Sequence, residues 1–221
     1  MINQRRNYNA RLFNSNFIRT FFHLSRFNWI KRTIRKYNIK YDSIIEIGCF
    51  DGKVFEFLPY MPSNYKGYDA NWESGLQNAR EKFENDNTKE FIFAESPDDI
   101  KLKRNEKFSI GISIETFEHI PPELVCPYLD LLSKCIDDYL LITVPNEVGL
   151  FFLIKRFLKP RSQEGEKYSF KDILNIILGR TNYVERNNHK GFNYEHLIYD
   201  IKKYFDIKEI SAYPSLFFIP K

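Results

Sequence analysis

Short runs of β-branched and aromatic residues alternate with helical patterns between residues 41 and 145, and this alternation constrains the fold more than any other feature. Five runs predict strands: Ser43–Ile47, Tyr65–Asp69, Glu90–Ala94, Phe108–Ile114 and Tyr139–Val144. Three intervening stretches predict helices: Lys53–Leu58, Trp72–Glu84 and Pro122–Cys135. Strands that alternate with helices predict a parallel sheet with helices on both faces.

The last part of the chain follows a different pattern. A helix is predicted from about Tyr194 to Tyr204, and two further strands, Phe205–Ile210 and Leu216–Ile219, are separated only by a turn around Pro214. Strands joined so closely must be antiparallel. We therefore predict a doubly wound α/β sheet of seven strands, five parallel and two in a C-terminal antiparallel hairpin. The alternation lapses between the two patterns, which predicts an insert over residues 146–192.

Charge divides the chain into two parts. Residues 1–40 hold ten Lys and Arg side chains and no acid, whereas residues 41–221 hold 23 bases and 29 acids. Apolar residues at helical spacing from Phe17 to Tyr37 predict a basic amphipathic helix in the first part. We expect either a helix packed on the flank of the 41–221 domain with a solvated basic face, or peripheral contact with a membrane or anionic partner. A transit peptide is the remaining alternative.

Several classes of protein do not fit the composition. No apolar run approaches the roughly 20 residues of a membrane-spanning helix, and the polar N-terminus lacks the apolar region of a secretory signal. Three cysteines without a C-x-x-C pair support neither a disulfide framework nor a zinc knuckle. The spacing of the histidines does not indicate a metal site. We expect a cytoplasmic protein with reduced thiols.

The turn after the first strand contains two glycines that suit contact with a ligand. Gly48 lets a ligand approach the backbone, and Gly52 lets the next helix begin close to the strand. A dinucleotide-binding fold needs G-x-G-x-x-G, whereas Phe50 stands between the two glycines here. The turn therefore gives poor support to pyrophosphate binding.

Two acids lie beside this turn in the predicted sheet. Glu46 precedes Gly48 at the end of the first strand, where a carboxylate suits a ligand with an ammonium group. Asp69 ends the second strand, where its two oxygens can accept both hydroxyls of a ribose. A ligand with an amino-acid end, a ribose and no phosphate is S-adenosylmethionine, which is the cofactor that these acids predict.

These residues resemble the motifs of the class I S-adenosylmethionine-dependent methyltransferases over roughly residues 40–220. Glu46, Gly48 and Gly52 match the first motif, Phe50 departs at its usual middle glycine, and Asp69 matches the ribose acid. The resemblance implies a Rossmann-like methyltransferase fold. It also implies these cofactor contacts: Glu46, Gly48, Cys49, Gly52, Asp69, Ala70, Glu95 and Ser96.

Later strands extend the resemblance. Glu95 stands where the family usually has an acid that contacts adenine, and Glu115–His119 looks like the fourth-strand E-x-x-E-H segment of small-molecule members. Leu141–Asn146 resembles the fifth strand, which commonly ends in Pro-Asn. Ser109 departs from the pattern, since the family often has Asp at this position.

Methyl transfer from a sulfonium is an in-line displacement, so an acid–base residue is needed only where the acceptor must lose a proton. We expect His119 to be the general base, with Glu115 as a second catalytic residue and with Glu118 and His189 contacting the substrate. A structural role for His119, a helix-start role for Glu118 and a solvated loop position for His189 remain open.

The resemblance implies methylation of a small-molecule, lipid or glycan acceptor, at oxygen. Nucleic acid is not expected as the acceptor, since the D/N/S-P-P-Y/F tetrad of amino-methylating DNA enzymes is missing. Two alternatives come from other classes. One is a catalytically silent binding or scaffold protein with the same fold, and the other is an NAD(P)-dependent oxidoreductase, which the missing third glycine disfavours.

Overall fold

The structure is a computed structural model and describes residues 17–146, 148–149, 152–153, 168–187 and 189–210. The described residues form two compact units. The first comprises residues 17–114, 131–143 and 208–210, and the second comprises the described parts of 115–130 and 144–207. The chain therefore enters each unit more than once.

A parallel sheet of five strands forms the centre of the first unit: β1 (Ser43–Ile47), β2 (Asn64–Asp69), β3 (Lys89–Phe93), β4 (Phe108–Ile114) and β5 (Ile136–Thr143). The strand order is β3-β2-β1-β4-β5, and every pairing between neighbours is parallel. In this register Glu46 lies between Gly67 of β2 and Ile112 of β4. The order reverses at β1 and β4, and ligands of such sheets bind outside the carboxyl ends of the strands at this reversal. The predicted α/β fold is confirmed.

The helices that the structure describes beside these strands include α1 (Phe17–Lys36), α2 (Gly75–Lys82), α3 (Pro122–Cys135), α4 (Phe170–Ile177) and α5 (Tyr194–Ile201). Side chains cap two of them. The Ser169 hydroxyl accepts from the backbone N–H of Asp172 in a capping box at α4, and the Asn193 side chain accepts from Glu195 at α5. Single 3-10 turns occur at Lys53–Glu56, Trp72–Ser74, Pro97–Asp99 and Thr181–Tyr183.

The hydrophobic core of the first unit includes one side of α1. Trp29, Ile30 and Ile34 are buried and join the same cluster as Ile44 of β1. The opposite side of this helix carries exposed bases such as Arg35. The predicted basic helix is therefore present, and Trp29, Ile30 and Ile34 pack into the core of the first unit.

The predicted C-terminal hairpin is not confirmed. Residues 206–210 form no strand, although Phe205–Ile210 was expected to be one. The second predicted strand, Leu216–Ile219, lies outside the described residues. The seven-strand count is thus reduced to five strands in the described part of the chain.

Two predicted helices are shorter than the apolar pattern indicates. The 53–58 helix is only the 3-10 turn Lys53–Glu56, followed closely by Pro59. The 72–84 helix is interrupted at its start because Glu73 and Ser74 have positive φ angles of 46° and 61°, so regular α-helix begins at Gly75. Among the described residues, no helix combines the length and apolarity needed to cross a bilayer.

Candidate functional site

The turn after β1 needs both of its glycines. Gly48 and Gly52 have φ angles of 78° and 70°, which side chains rarely adopt. The backbone N–H groups of Gly48 and Cys49 donate to the carbonyl of Tyr68 at 2.7 and 3.3 Å, which fixes the turn against β2. A Cβ at Gly52 would lie 2.8 Å from the ring of Phe83, so no larger residue fits without a shift.

Phe50 takes a strained conformation at the position of the missing middle glycine. Its φ is 46°, a left-handed value that costs a non-glycine residue on the order of 1–3 kcal/mol. Its ring occupies the space above Gly75, where a Cβ would lie only 2.2 Å from the ring carbon Cδ2. The ring also lies near Trp72, with a centroid separation of 6.1 Å. The Phe50 ring therefore fills space beside the turn that a glycine at this position would leave empty.

Asp69 lies at the carboxyl end of β2, beside this turn. Its Oδ2 accepts from the backbone N–H of Phe50 at 3.0 Å, and its Oδ1 accepts from that of Asn71 at 2.7 Å. Burial raises the pKa of Asp69, and these N–H groups oppose that shift. A carboxylate has about four acceptor sites, and the backbone N–H groups of Phe50, Asn71 and Trp72 act on Asp69, which leaves capacity for a further hydrogen bond from a ribose hydroxyl. Asp69 therefore lies at the strand end where the sequence predicts a ribose acceptor, and that role stays a prediction. Ala70 follows it at an exposed position.

Glu46 is in the interior of the first unit, with 2% of its surface exposed. The Tyr65 hydroxyl donates to its Oε2 at 2.5 Å. Burial raises the pKa of Glu46 to about 8, and the Tyr65 hydrogen bond acts in the opposite direction. Gly67 makes room for this pair, since a Cβ there would lie 2.6 Å from the Tyr65 hydroxyl and 2.8 Å from Cys49 Sγ. Cys49 is buried as well, and burial raises the pKa of its thiol.

Glu95 and Ser96 lie in the loop after β3. Their backbone N–H groups donate to Oδ2 of Asp99 at 3.0 and 2.9 Å, and the Ser96 hydroxyl donates to the same oxygen. These hydrogen bonds lower the pKa of Asp99. Asp99 thus fixes the loop that presents the exposed Glu95 side chain. The sequence prediction did not include Asp99, although the S-x-x-D spacing of a capping box from Ser96 to Asp99 could have identified it.

Three of the four residues predicted on the acceptor side form a cluster in the second unit. Potential ligand atoms of Glu118, His119 and His189 all lie within 4.8 Å of one another. Nε2 of His119 is 4.0 Å from Oε1 of Glu118, and the two imidazole rings are 4.6 Å apart at 75°. Glu118 is fully buried, whereas 47% of the His119 side chain is exposed. Glu115, where this unit begins, has a positive φ of 51°.

Arg186 holds the backbone of this cluster in place, and no sequence motif identifies it. One guanidinium nitrogen donates to the carbonyl oxygens of Phe117, Glu118 and Ile120 at 3.1, 3.4 and 3.1 Å. The guanidinium also lies 5.0 Å from the centroid of Phe192. Burial lowers the pKa of Arg186, and the negative charge of Glu118 raises it.

A cavity of about 230 Å³ lies in the second unit next to this segment. Phe117, Thr181, Arg186 and Phe192 contribute to its lining. The hydroxyl of Thr181 is buried and has no hydrogen-bond partner among the described residues. A partly open cavity with a few polar groups suits a small organic ligand.

Ser109 lies elsewhere in the first unit. It is near the start of β4, where its hydroxyl accepts from the backbone N–H groups of Asp42 and Ser43 at 3.1 and 3.3 Å. The start of a parallel strand is at the opposite edge of the sheet from the Gly48 turn. Ser109 therefore ties β1 to β4 at the edge away from Asp69.

No protein-family model matches the chain, and no curated protein matches its sequence. Solved structures do match. The methyltransferase domain of bacterial CtHen1-CN has a TM-score of 0.50 at 14% identity, over 72% of this chain and 84% of that one. Magnesium protoporphyrin IX methyltransferase from Synechocystis PCC 6803, with bound SAH, has a TM-score of 0.51 at 18% identity, over 80% and 83%.

An S-adenosylmethionine-dependent methyltransferase from Clostridium acetobutylicum ATCC 824 also matches, with a TM-score of 0.45 at 18% identity. The match covers 59% of this chain and 58% of that protein, so less than two thirds of its length is spanned. At identities of this size, what the two higher-scoring structures share with this chain is the fold.

Proposed function

We propose that this chain, which has the fold of the class I S-adenosylmethionine-dependent methyltransferases, binds S-adenosylmethionine and transfers its methyl group to an oxygen of a small-molecule, lipid or glycan acceptor. The observation that carries the proposal is Asp69. It is fixed by two backbone N–H groups at the carboxyl end of β2, beside the glycine turn that follows β1. That is the edge of the sheet where a nucleoside ligand binds in folds of this class.

The first unit supplies the cofactor contacts in this proposal. The Gly48 turn approaches the amino-acid end of the cofactor, Asp69 accepts the ribose hydroxyls, and the loop with Glu95 and Ser96 borders the adenine. Cys49, Gly52 and Ala70 shape the same turn and strand end. Glu46 is buried against Tyr65 and its pKa is raised to about 8, so its carboxyl is mostly protonated near neutral pH. In this proposal the positive charge of the bound cofactor favours its ionised form. The bound cofactor supplies an electrophilic methyl group and a neutral thioether leaving group.

The second unit supplies the acceptor contacts. The half-exposed imidazole of His119 accepts the proton of the acceptor hydroxyl, and Glu118 and His189 adjoin it. Glu115 begins the segment in a strained conformation, which is frequent at functional sites. The cavity lined by Phe117 and Thr181 receives the body of the acceptor. His119→Ala should reduce turnover while leaving the affinity for S-adenosylhomocysteine nearly unchanged.

Calorimetry with S-adenosylhomocysteine tests the cofactor proposal. Asp69→Asn should weaken binding at least about tenfold, because hydrogen bonds to a charged carboxylate are worth roughly 1.5–3 kcal/mol. Asp98→Asn is a matched control, since Asp98 is an exposed acid of the same unit. It should bind like the unchanged chain. The proposal is wrong if the unchanged chain fails to bind at millimolar concentration.

Two rival functions predict different responses to ligands. A ligand that binds only the folded state raises its stability, by roughly 2.7 kcal/mol at a hundred times its Kd. An NAD(P)-dependent oxidoreductase would gain thermal stability from NADPH, whereas we expect a gain from S-adenosylhomocysteine only. A silent scaffold would bind S-adenosylhomocysteine, but it would release none from S-adenosylmethionine with any acceptor in a broad panel of hydroxylated compounds.

A further inference from the structure

We infer that Glu118, His119 and His189 form a binding site for a divalent transition-metal ion. All three belong to the second unit, so the site depends on no contact outside that unit. Spacing along the chain does not predict it, because His189 follows His119 by 70 positions. The inference concerns the acceptor side of the proposed methyltransferase, but ion binding itself does not require methyl transfer.

The geometry is close to that of a three-ligand site. In a tetrahedral zinc site, bonds of about 2.0–2.2 Å place the ligand atoms roughly 3.3 Å from one another. Here Nε2 of His119 and Oε1 of Glu118 are 4.0 Å apart, and all three ligand atoms lie within 4.8 Å. The His119 side chain is half exposed and can rotate, whereas Glu118 is fixed by burial. Binding of an ion would therefore require the ligand atoms to move by on the order of 1 Å.

The ligand types select the class of ion. Two imidazoles and one carboxylate suit Zn²⁺, Co²⁺ or Fe²⁺, whereas Mg²⁺ and Ca²⁺ prefer oxygen ligands alone. Three protein ligands also leave coordination positions open for water or substrate, which is typical of catalytic sites and not of structural ones. The exposed side of His119 gives access to those positions.

The charges around the cluster support the same class. Glu118 is a fully buried acid, and a cation beside it offsets the cost of its burial. Arg186 already interacts with its charge and holds the carbonyls of Phe117, Glu118 and Ile120. The guanidinium repels all divalent cations alike and offsets part of the attraction of Glu118, so the affinity comes mainly from the imidazoles. This again favours a transition metal over Mg²⁺.

An ion in this position changes the role of His119. The nitrogen of His119 that held the ion would no longer be available to accept the proton of the acceptor. The ion would then supply the activation in its place, by lowering the pKa of a hydroxyl coordinated to it, and the proton would pass to solvent. This consequence rests on the proposed function, whereas the binding of the ion does not.

Titration with CoCl2 tests the site, because Co²⁺ develops visible absorption when protein ligands replace its water. The full chain is first freed of metal by a chelator, which is then removed. His119→Ala and His189→Ala should each weaken Co²⁺ binding at least tenfold, and ZnCl2 should compete with Co²⁺. His196→Ala is the matched control, an exposed histidine of the same unit outside the cluster, and it should bind normally. Circular dichroism establishes that each variant is folded.

The outcomes separate this inference from the proposed function. Equal Co²⁺ affinity in all four proteins, or no Co²⁺ spectrum in the unchanged chain, would overturn the metal site. If Glu118→Gln unfolds the chain, the two histidine variants still decide. S-adenosylhomocysteine affinity is measured on the same metal-free samples. Its absence beside normal Co²⁺ binding would refute the methyltransferase proposal while supporting the metal site.

Discussion

At the scale of single residues, Glu46 makes the stability of the chain depend on pH. Its pKa is about 8 in the folded chain, because it is buried, against 4.5 when exposed. Between these values the unfolded chain releases a proton that the folded chain keeps. The contribution of Glu46 to the free energy of unfolding is therefore greatest below pH 4.5. It decreases by up to about 5 kcal/mol as the pH rises to 8.

Glu46→Gln removes this dependence, because the amide does not ionise and its oxygen still accepts from Tyr65. We expect the free energy of unfolding of the variant, minus that of the unchanged chain, to increase between pH 5 and pH 8. Urea denaturation at several pH values measures it. Glu84→Gln, at an exposed acid of the same unit, should leave the difference flat. A flat profile for Glu46→Gln as well would show that Glu46 ionises normally.

Site residues could be predicted from the sequence where the chemistry of a single residue is enough to indicate its role. Gly48 and Gly52 are needed for positive φ angles, and Asp69 lies at the predicted strand end. The Tyr65 partner of Glu46 was missed, since only the parallel register brings the hydroxyl of one strand to the acid of its neighbour. Arg186 was missed for a related reason, because backbone carbonyls nearly 70 residues away leave no mark on local sequence.

At the scale of elements, the packing of Phe50 on the first residue of α2 predicts a strong coupling. Gly75→Ala should destabilise the chain by roughly 1–3 kcal/mol, because the new methyl group would lie 2.2 Å from the Phe50 ring. In a Phe50→Gly background the same change should be neutral or stabilising, since alanine favours helix over glycine by about 0.8–1.0 kcal/mol. Urea denaturation of the four proteins gives the coupling energy.

The single change Phe50→Gly serves as the reference for this cycle, because it also removes the positive φ angle of a non-glycine residue. Additive effects of the two substitutions would mean that the ring moves away from Gly75 without cost. A coupling energy above about 1 kcal/mol is the result that we expect for residues in direct contact.

The core-facing side of α1 gives a second prediction for an element. Ile30 is fully buried in the core of the first unit, so Ile30→Ala should cost about 2–5 kcal/mol of folding free energy. Phe21→Ala removes a larger side chain that is 45% exposed on the same helix, and it should cost less than Ile30→Ala. Thermal denaturation of both variants measures the difference. Equal melting temperatures would contradict the packing of α1 against the sheet.

The predicted boundaries of an element match the structure where the pattern of apolar residues and the residues that end helices or strands indicate the same position. The bounds of β1, β4 and α3 match the prediction, with prolines before α3 marking its start. β5 begins at Ile136, whereas the sequence predicts its start at Tyr139. The prediction excluded Asp137 and Asp138 because acids are typical of loops, but they lie on an edge strand, where side chains can be exposed. Apolar periodicity also cannot show that Glu73 and Ser74 adopt positive φ angles.

At the scale of the whole molecule, the uneven charge predicts attraction to anionic membranes. Ten bases and no acid lie in residues 1–40, and Arg32, Arg35 and Lys36 are exposed on α1. Each base near an anionic surface contributes about 1 kcal/mol at moderate salt. We predict that the full chain sediments with vesicles of phosphatidylserine and that changing these three residues to glutamine reduces binding by at least tenfold.

Vesicles of phosphatidylcholine alone are the control for surface charge, and they should not sediment the chain. The acidic remainder of the chain provides a control of the opposite kind, since changing Lys101 and Lys103, two exposed bases outside α1, should leave sedimentation unchanged. Binding that survives both the α1 changes and 0.5 M salt would exclude an electrostatic origin, because salt screens surface charges within a few ångströms.

The division of the chain into units was not visible in the sequence. The sequence predicts one domain over residues 41–221 with an insert over residues 146–192, and that assignment stays a prediction. Residues 115–130 belong to the same compact unit as the described part of residues 144–207, and β5 lies between them in sequence. A cluster such as His119 with His189 forms only because two separate stretches fold together. Local patterns contain no information on that pairing.

This interleaving sets an order of events during protein synthesis. All five strands and α1 precede residue 144, so the ribosome completes them before it makes the longer part of the second unit. At 5–20 residues per second, residues 144–207 take a few seconds to about ten seconds more. For that interval the nascent chain carries the strand ends with Gly48 and Asp69 but lacks His189. The residues proposed to hold the cofactor are thus made before the acceptor side is complete.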